Sequence, residues 1–438
     1  MAIDFNPQTG EVSEPPRRTR ISREVDILVI GGGTSGCSAA IAAARMGAKV
    51  MLIDRYGFLG GTATAAMVGV FCGVYTCGPQ STHQLLVGSI PKEAMDRLAA
   101  INAGHKYRHR FQIDHEMFKV VLDRWLVECG VEILFQAVVV EALIRDGEIR
   151  GVVVEHKGGR EAVLASRIID ASGDGDVAAF AGAPFEKGAA DGTLQAPTMV
   201  FYMGDVDVER AMAFPEAEIK RLLTEKTASG EFDFPRNSGS FSPSPQPGKV
   251  HVNMSRVHGI DGTDPWSLTR GHLEGRRQVD DFARFLVKYI PGFEKSRIDA
   301  IAPQLGIRET RRIMGEYVLT REDVLGAHKF DDAICRSSWP IEDHVGQGTV
   351  RLHLPGDEFY QVPYRCLVPL EIDNLLLSGR CVSATHDGQA SVRVMGPGMA
   401  MGQAAGTAAI MSLERRVRPR DLDPSLLRGS LLQKGVLI

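Results

Sequence analysis

The chain reads as an α/β protein into which a second, α+β domain is inserted. Three observations predict this. A continuous apolar, β-branched run at 25–30 enters a glycine turn and then an alanine-rich stretch, the pattern of a strand–turn–helix unit. Strands running into small-residue turns recur at 168–176 and 374–380. Between about 196 and 338 glycine thins out, and amphipathic helices alternate with strands.

The elements follow in order. Residues 25–30 (VDILVI) are a strand buried on both faces. Residues 35–46 lack internal Gly or Pro and form a helix, with Gly47 as its stop. A second strand covers 49–53. The Gly-, Thr- and Ala-rich stretch 55–82 reads as loop with short helical pieces. Helices are expected at about 91–101 and 115–129, the second ended by Gly130. Residues 131–170 read as a β-meander with turns at Asp146-Gly147 and Gly158-Gly159. In the inserted region, Asp264 as N-cap, Pro265 at the first helical position and the apolar series Val279, Phe282, Leu286, Ile290 mark a helix that Pro291-Gly292 ends. Two apolar runs within 359–378 and a small-residue helix at about 398–413 close the fold. The expected division is a mobile tail at 1–24, a nucleotide-binding domain at 25–195 and 340–415, a substrate domain at 196–339, and a C-terminal tail at 416–438.

Bulk properties of the 438 residues narrow the function. The chain is 44% hydrophobic and 24% charged, with a net charge of −4 from 50 basic and 54 acidic residues, so no basic excess points to nucleic acid or an acidic membrane surface. The seven cysteines are odd in number and contain no CxxC, which excludes a disulfide framework and a zinc or iron–sulfur spacing and suggests a reduced, cytoplasmic protein. No metal site is expected. Neither a signal-peptide core nor an apolar run of ~18 residues is present. Glycine is in excess: 47 residues, against roughly 7% of an average chain.

Much of that excess has a chemical use. Gly31-Gly32-Gly33-Thr34-Ser35-Gly36 is a GxGxxG turn between strand and helix. Gly31 makes the tight turn, Gly33 lets a pyrophosphate reach the backbone, and Gly36 lets helix and strand pack closely. Thr34 and Ser35 open the helix, whose N-terminus supplies free N–H groups and partial positive charge. Asp54 follows at the end of the second strand, where an acid bonds ribose hydroxyls. The unit is Rossmann-like, but the turn alone does not separate NAD from FAD.

Further segments carry a specific resemblance. They are GGGTSG at 31–36, LGGTATA at 59–65, GDGD at 173–176, GIRETRR at 306–312, VPYR at 362–365, LLLSGR at 375–380 and MAMGQAAGTAA at 399–409. Over about residues 24–412 the chain resembles a flavoprotein of the glutathione-reductase type, within the FAD-dependent oxidoreductase family distantly related to fumarate reductases. The resemblance implies FAD as cofactor. It implies that Arg55, Gly61 and Thr62 join the glycine turn and Asp54 around the ADP half, and that Val138 or Val139 binds adenine. It further implies that Ala171, Ser172, Gly173 and Asp174 continue that shell, and that Gly379, Arg380, Gly398 and Met399 approach pyrophosphate or flavin.

Candidates for the reacting end come from polar residues. If 307–312 is extended, Arg308 and Arg312 share one face, and Glu309 and Arg311 the other. Such a face clamps an anionic substrate or polarises its carbonyl, or forms a structural ion-pair network. Arg308 and Arg311 are the site candidates, because their segment resembles one that the family keeps near the flavin. His344 and His386 lie in polar, turn-like stretches and are candidate bases for a hydroxyl proton. Tyr364 is a further candidate. The expected reaction is hydride transfer between a small organic substrate and flavin N5, with oxygen, a quinone or another protein as electron acceptor. A homo-oligomer is left open. Two alternatives stand beside it: a dithiol oxidoreductase using Cys72 and Cys77, and a flavin-binding protein without turnover.

Overall fold

The computed structural model describes residues 4–6, 9–14, 16–344 and 348–438. Its centre is a seven-stranded sheet. From one edge the strands run Glu132–Phe135, Val50–Asp54, Arg20–Ile30, Gly159–Asp170, Glu148–His156 and Val138–Arg145, with Leu375–Leu377 joined to the C-terminal end of Gly159–Asp170. The first four of these and Leu375–Leu377 are mutually parallel; the hairpins at 138–170 are antiparallel. Register aligns Asp54 with Phe135, Ile30 with Ile53, and Asp170 with both Ile30 and Leu377. The parallel strands therefore end in one row, the edge at which α/β sheets bind ligands.

Three expectations are corrected here. Residues 132–135 do not belong to a meander: they pair in parallel with Val50–Asp54 as the outer strand. The first strand begins at Arg20, so the tail is shorter than expected, and residues 20–24 pair with 161–164. Their mostly exposed side chains give no apolar signal; the backbone ladder holds them, with ion pairs from Arg20 to Glu161 and from Arg23 to Glu132. The C-terminal stretch is no free tail either, since helix Pro424–Gln433 buries Leu427 and Leu431 in the main core.

The helices form as their sequences suggest. Thr34–Ala44 follows the glycine turn and lies on the main sheet, Ser89–Ala100 and His115–Glu128 pack beside it, and Asp114 caps the last by accepting from the Glu116 and Met117 N–H groups. The closing helix starts earlier than expected, at Met395, and runs to Glu414. It packs on Thr34–Ala44 through Gly402 and Gly406, where any Cβ would collide with the carbonyls of Ser35 and Ala39.

A second core spans 199–307. It lies between an antiparallel four-stranded sheet (Ser240–Pro243, Val250–Asn253, Phe201–Gly204, Arg297–Ile301) and helix Pro265–Tyr289, which buries Val279, Phe282, Phe285 and Leu286. Asp264 caps that helix as expected. Residues beyond Ile307, such as Leu319, Val324 and Ile334, pack into the main core instead. The second core thus ends some way before 339. Among the described residues no helix is long and apolar enough to cross a membrane.

Candidate functional site

A single cleft of about 1110 Å³ runs from the carboxyl edge of the main sheet to the underside of the four-stranded sheet. That exceeds the space an ordinary small-molecule ligand fills. At one end lie Gly31, Gly33, Thr34 and Ser35, with Asp54 and Arg55 beside them. Gly31 has φ +100°, which an L side chain adopts only under strain, and a Cβ on Gly36 would strike the Gly31 carbonyl. These two glycines serve the turn and its packing, so Gly36 sits under the cleft wall. Gly33 is different. Its φ is −67°, and the nearest heavy atom to a Cβ there is the Gly61 Cα at 3.9 Å. Nothing in the protein demands glycine at this point, yet it lines the cleft. Gly398 likewise has nothing within 4 Å of a Cβ and lines the cleft. Both are openings that a closely approaching ligand would fill.

The helix that starts here has no side-chain cap and no acid in its first turn. Its N–H groups and partial positive charge are free to meet an anion. Asp54 is buried, which raises its carboxyl above the usual range. Its Oδ2 accepts from the Gly32 N–H at 2.5 Å and its Oδ1 from the Tyr56 N–H at 2.7 Å, so it also braces the glycine turn.

The wall continues through Gly61, Thr62, Val138 and Val139, then Ala171, Ser172 and Gly173. Gly379 and Arg380 follow from the turn after Leu375–Leu377. Besides Gly36, two expected members fall outside this wall. Asp174 points away and holds Arg380 in a 2.8 Å ion pair, while also accepting from the Thr310 hydroxyl at 2.9 Å. Met399 is buried in the closing helix, and Met395 lines the cleft in its place.

The other end is polar and roofed by the second domain. Val250–Asn253 contributes His251 and Asn253; Arg236 comes from the loop before that sheet; Arg308, Glu342, His344 and Arg393 come from the side. Of the five catalytic candidates, Arg308 and His344 reach the cleft and three do not. Arg311 turns back to Asp176 (2.8 Å) and the Asp174 carbonyl (3.0 Å). Tyr364 is buried elsewhere and donates to the Pro419 carbonyl at 2.9 Å. His386 lies outside the wall, with Nδ1 3.0 Å from Glu309 and Nε2 3.4 Å from Asp343; those carboxylates outweigh burial and raise it to about 9.

His344 is not poised as a base. Arg256, which only donates, faces its Nδ1 at 3.1 Å, so Nδ1 accepts and Nε2 carries the proton toward Glu342 at 3.5 Å. Burial and the Arg308 charge push it down to about 2, so it is neutral. His251 was not legible as a candidate. It is buried, its ring bonds the Met67 carbonyl, and its Nε2 has no partner. Burial, then Arg110 and His115, lower it to about 3. Its only sequence signal is one histidine in the alternating strand 250–253.

Cys72 lines the cleft, and Cys77 donates to the Ser338 carbonyl at 3.3 Å. Burial raises both thiols, Cys77 to about 12, the reverse of an activated thiolate.

Comparison with known proteins fits this architecture. The family model described as FAD dependent oxidoreductase matches residues 26–431. Curated relatives match only part of the chain. Thiamine thiazole synthase of Methanococcus aeolicus is 29% identical over 158 residues, 34% of this chain and 55% of that protein. The tRNA uridine 5-carboxymethylaminomethyl modification enzyme of Lactobacillus delbrueckii subsp. bulgaricus is 31% identical over 142 residues, 31% of this chain and 22% of that one. The chain thus spans about half or less of the length of these curated relatives. Among solved structures, a geranylgeranyl bacteriochlorophyll reductase-like protein of Thermoplasma acidophilum shares 14% identity at a TM-score of 0.47, covering 95% of this chain and 84% of that one. L-proline dehydrogenase from P. horikoshii shares 13% at 0.44, covering 95% and 100%. Likeness at that level says nothing of activity. The expectation of a flavin-binding protein without turnover gives way to the family match: the chain belongs to the FAD-dependent oxidoreductase family, a family of flavin redox enzymes, and FAD is its cofactor.

Proposed function

We propose that this chain is a glutathione-reductase-type flavoprotein in which a small organic substrate, seated beneath the four-stranded sheet, exchanges a hydride with FAD. The observation that carries the reading is the continuity of the cleft: one space joins the glycine turn to the polar pocket under the second domain. Bound there, FAD supplies hydride transfer at flavin N5.

The chain's own residues do the rest. The N–H groups of Gly33, Thr34 and Ser35 meet the pyrophosphate, with Gly61, Thr62, Gly379 and Arg380 beside it. Asp54 and Arg55 hold the ribose of the adenosine, and Val138 and Val139 flank adenine. Ala171, Ser172 and Gly173 continue the wall, and Gly398 lies toward the flavin. In this reading FAD lies on 25–195 and 340–415, and the substrate domain expected at 196–339 roofs the substrate through its core at 199–307. His251, at the roof of the pocket with its Nε2 unpartnered, is the group that would take the substrate's proton once a bound anion offsets the field that lowers it. Oxygen, a quinone or another protein accepts the electrons, and the unpaired cysteines favour a cytoplasmic setting.

The test is an anaerobic screen of small alcohols, amines and acids with flavin bleaching as the readout. A substrate deuterated at the oxidised carbon should bleach the flavin severalfold more slowly. Bleaching by dithiols alone, or bleaching with no isotope effect in single-turnover measurements, overturns hydride transfer from carbon.

A further inference from the structure

We infer that the substrate is a small organic carboxylate, held at the polar end of the cleft by Arg236, Arg308 and Arg393. This rests on the placement of the substrate beneath the second domain.

Arg236 and Arg308 are held by neutral acceptors, and Arg393 is only loosely paired, its Nη2 also donating to the Glu342 carbonyl at 3.3 Å. Arg236 is 8% exposed; its Nε donates to the Met254 carbonyl at 2.9 Å and its Nη2 to the Asn253 carbonyl at 2.8 Å. Arg308 donates through Nη1 to the Ala196 carbonyl and through Nη2 to the Thr198 hydroxyl at 2.9 Å. Neither makes an ion pair with a carboxylate among the described residues. Arg393 has Glu342 only at 4.0 Å, the outer limit of an ion pair, and its buried Nε has no partner. Glu342 is already engaged, with Arg351 at 2.7 Å and His344 at 3.5 Å.

The groups also feel one another. Burial acts first, and then Arg393 and Arg236, to draw Arg308 well below its ordinary value; burial and then Arg256 and Arg351 draw Arg236 to about 9. Buried cations are ordinarily paired, because an unpaired one loses hydration and receives nothing back. Here the bonds to neutral acceptors fix the guanidinium planes while leaving further N–H donors on each. A fixed fork with spare donors matches the two oxygens of a carboxylate. The cofactor's own phosphates have a separate place at the uncapped helix start near Gly33. An anion here would also make His251 a better base, since it offsets the positive field that, with burial, lowers it.

Calorimetric titration of the purified holoenzyme at low ionic strength tests this without turnover. The probes are acetate, succinate and benzoate, the matching amides, and methyl phosphate. At least one carboxylate should bind saturably and at least tenfold more tightly than its amide. Arg236→Gln and Arg308→Gln should weaken it tenfold or more at unchanged FAD content, read from absorbance, and Arg308→Lys should recover part of the loss. Equal binding of acid and amide, no binding by any carboxylate of the panel, or tighter binding of methyl phosphate overturns the assignment. So does loss of FAD together with the carboxylate in both glutamine variants, since the arginines would then serve the cofactor. The acid-to-amide ratio is measured on the unaltered enzyme and stands even where a variant folds poorly. Carboxylate binding without any substrate-driven bleaching would keep the subsite and sink the hydride reading.

Discussion

Gly33→Ala separates what the fold needs from what the cofactor needs. The backbone at Gly33 is extended (φ −67°, ψ 175°), a conformation alanine adopts freely, and the added Cβ meets nothing nearer than 3.9 Å. Removing glycine's freedom in the unfolded chain stabilises by about 0.4–1 kcal/mol. Alanine is a poorer N-cap than glycine by a comparable amount, so the two effects nearly cancel. The apoprotein should therefore unfold within about 1 kcal/mol of the parent. The cofactor fares differently. The new methyl occupies the space through which a pyrophosphate reaches the N–H groups of the helix start. Losing one charge-assisted bond costs about 1.5–3 kcal/mol, and each 1.4 kcal/mol is tenfold in affinity, so FAD binding should weaken at least about tenfold. Gly36→Ala is the contrast: its Cβ would strike the Gly31 carbonyl and press on Ala171 Cβ at 3.1 Å, so the apoprotein itself should lose about 1–3 kcal/mol. Flavin fluorescence titration of the apoprotein and urea unfolding give the two numbers. A Gly33→Ala protein that binds FAD as tightly as the parent refutes the placement of the cofactor at this turn.

Other expectations are as direct. His386 gains its two carboxylate neighbours on folding and rises from 6.5 to about 9. A raised histidine stabilises fully below 6.5 and loses that support as pH climbs through 9. The contribution is about 3 kcal/mol at pH 6 and under about 0.5 kcal/mol at pH 9. Urea unfolding at pH 6 to 9.5 should show this fall in the parent and not in His386→Gln; parallel curves would sink it. His251→Ala should slow substrate-driven bleaching about a hundredfold or more at unchanged FAD content, and an unchanged single-turnover rate would place the base elsewhere. Cys77→Ser should leave flavin reduction by the organic substrate intact, whereas its loss would revive the dithiol reading. Tyr364→Phe leaves the Pro419 carbonyl without its donor and should lower stability by about 1–3 kcal/mol without changing turnover.

The parts legible in the sequence are those whose chemistry is local. Residues 31–36 specify a turn, a strand end and a helix start within a few residues, and the structure places all three at the carboxyl edge. Asp264-Pro265 announces its helix for the same reason. The polar end of the cleft is assembled by topology instead. Arg236, His251, Arg308 and Arg393 come from four separate segments, and no spacing links them. Residue type also leaves direction unread. Alternation set Arg308 and Arg311 on opposite faces but could not say which face meets the cleft: Arg308 enters it, Arg311 turns back to Asp176, and Arg312 pairs with Glu309 rather than sharing the face of Arg308. Glu309 draws His386 and Arg312 into a buried cluster, which explains why a histidine in a polar stretch ends outside the cleft wall.

The contact of Gly402 and Gly406 with Ser35 and Ala39 has a consequence for the order of assembly. The helix that follows the glycine turn is made well before its close-packed support, which lies ~370 residues downstream, and closing a loop of that length costs entropy before any contact returns it. Until the closing helix has emerged, the small-residue face of Thr34–Ala44 has no partner and is exposed to chaperones and to mispairing. The glycine turn is therefore translated long before the helix that completes its packing. Cofactor loading at this turn would then report that the chain between Thr34 and Glu414 has found its place.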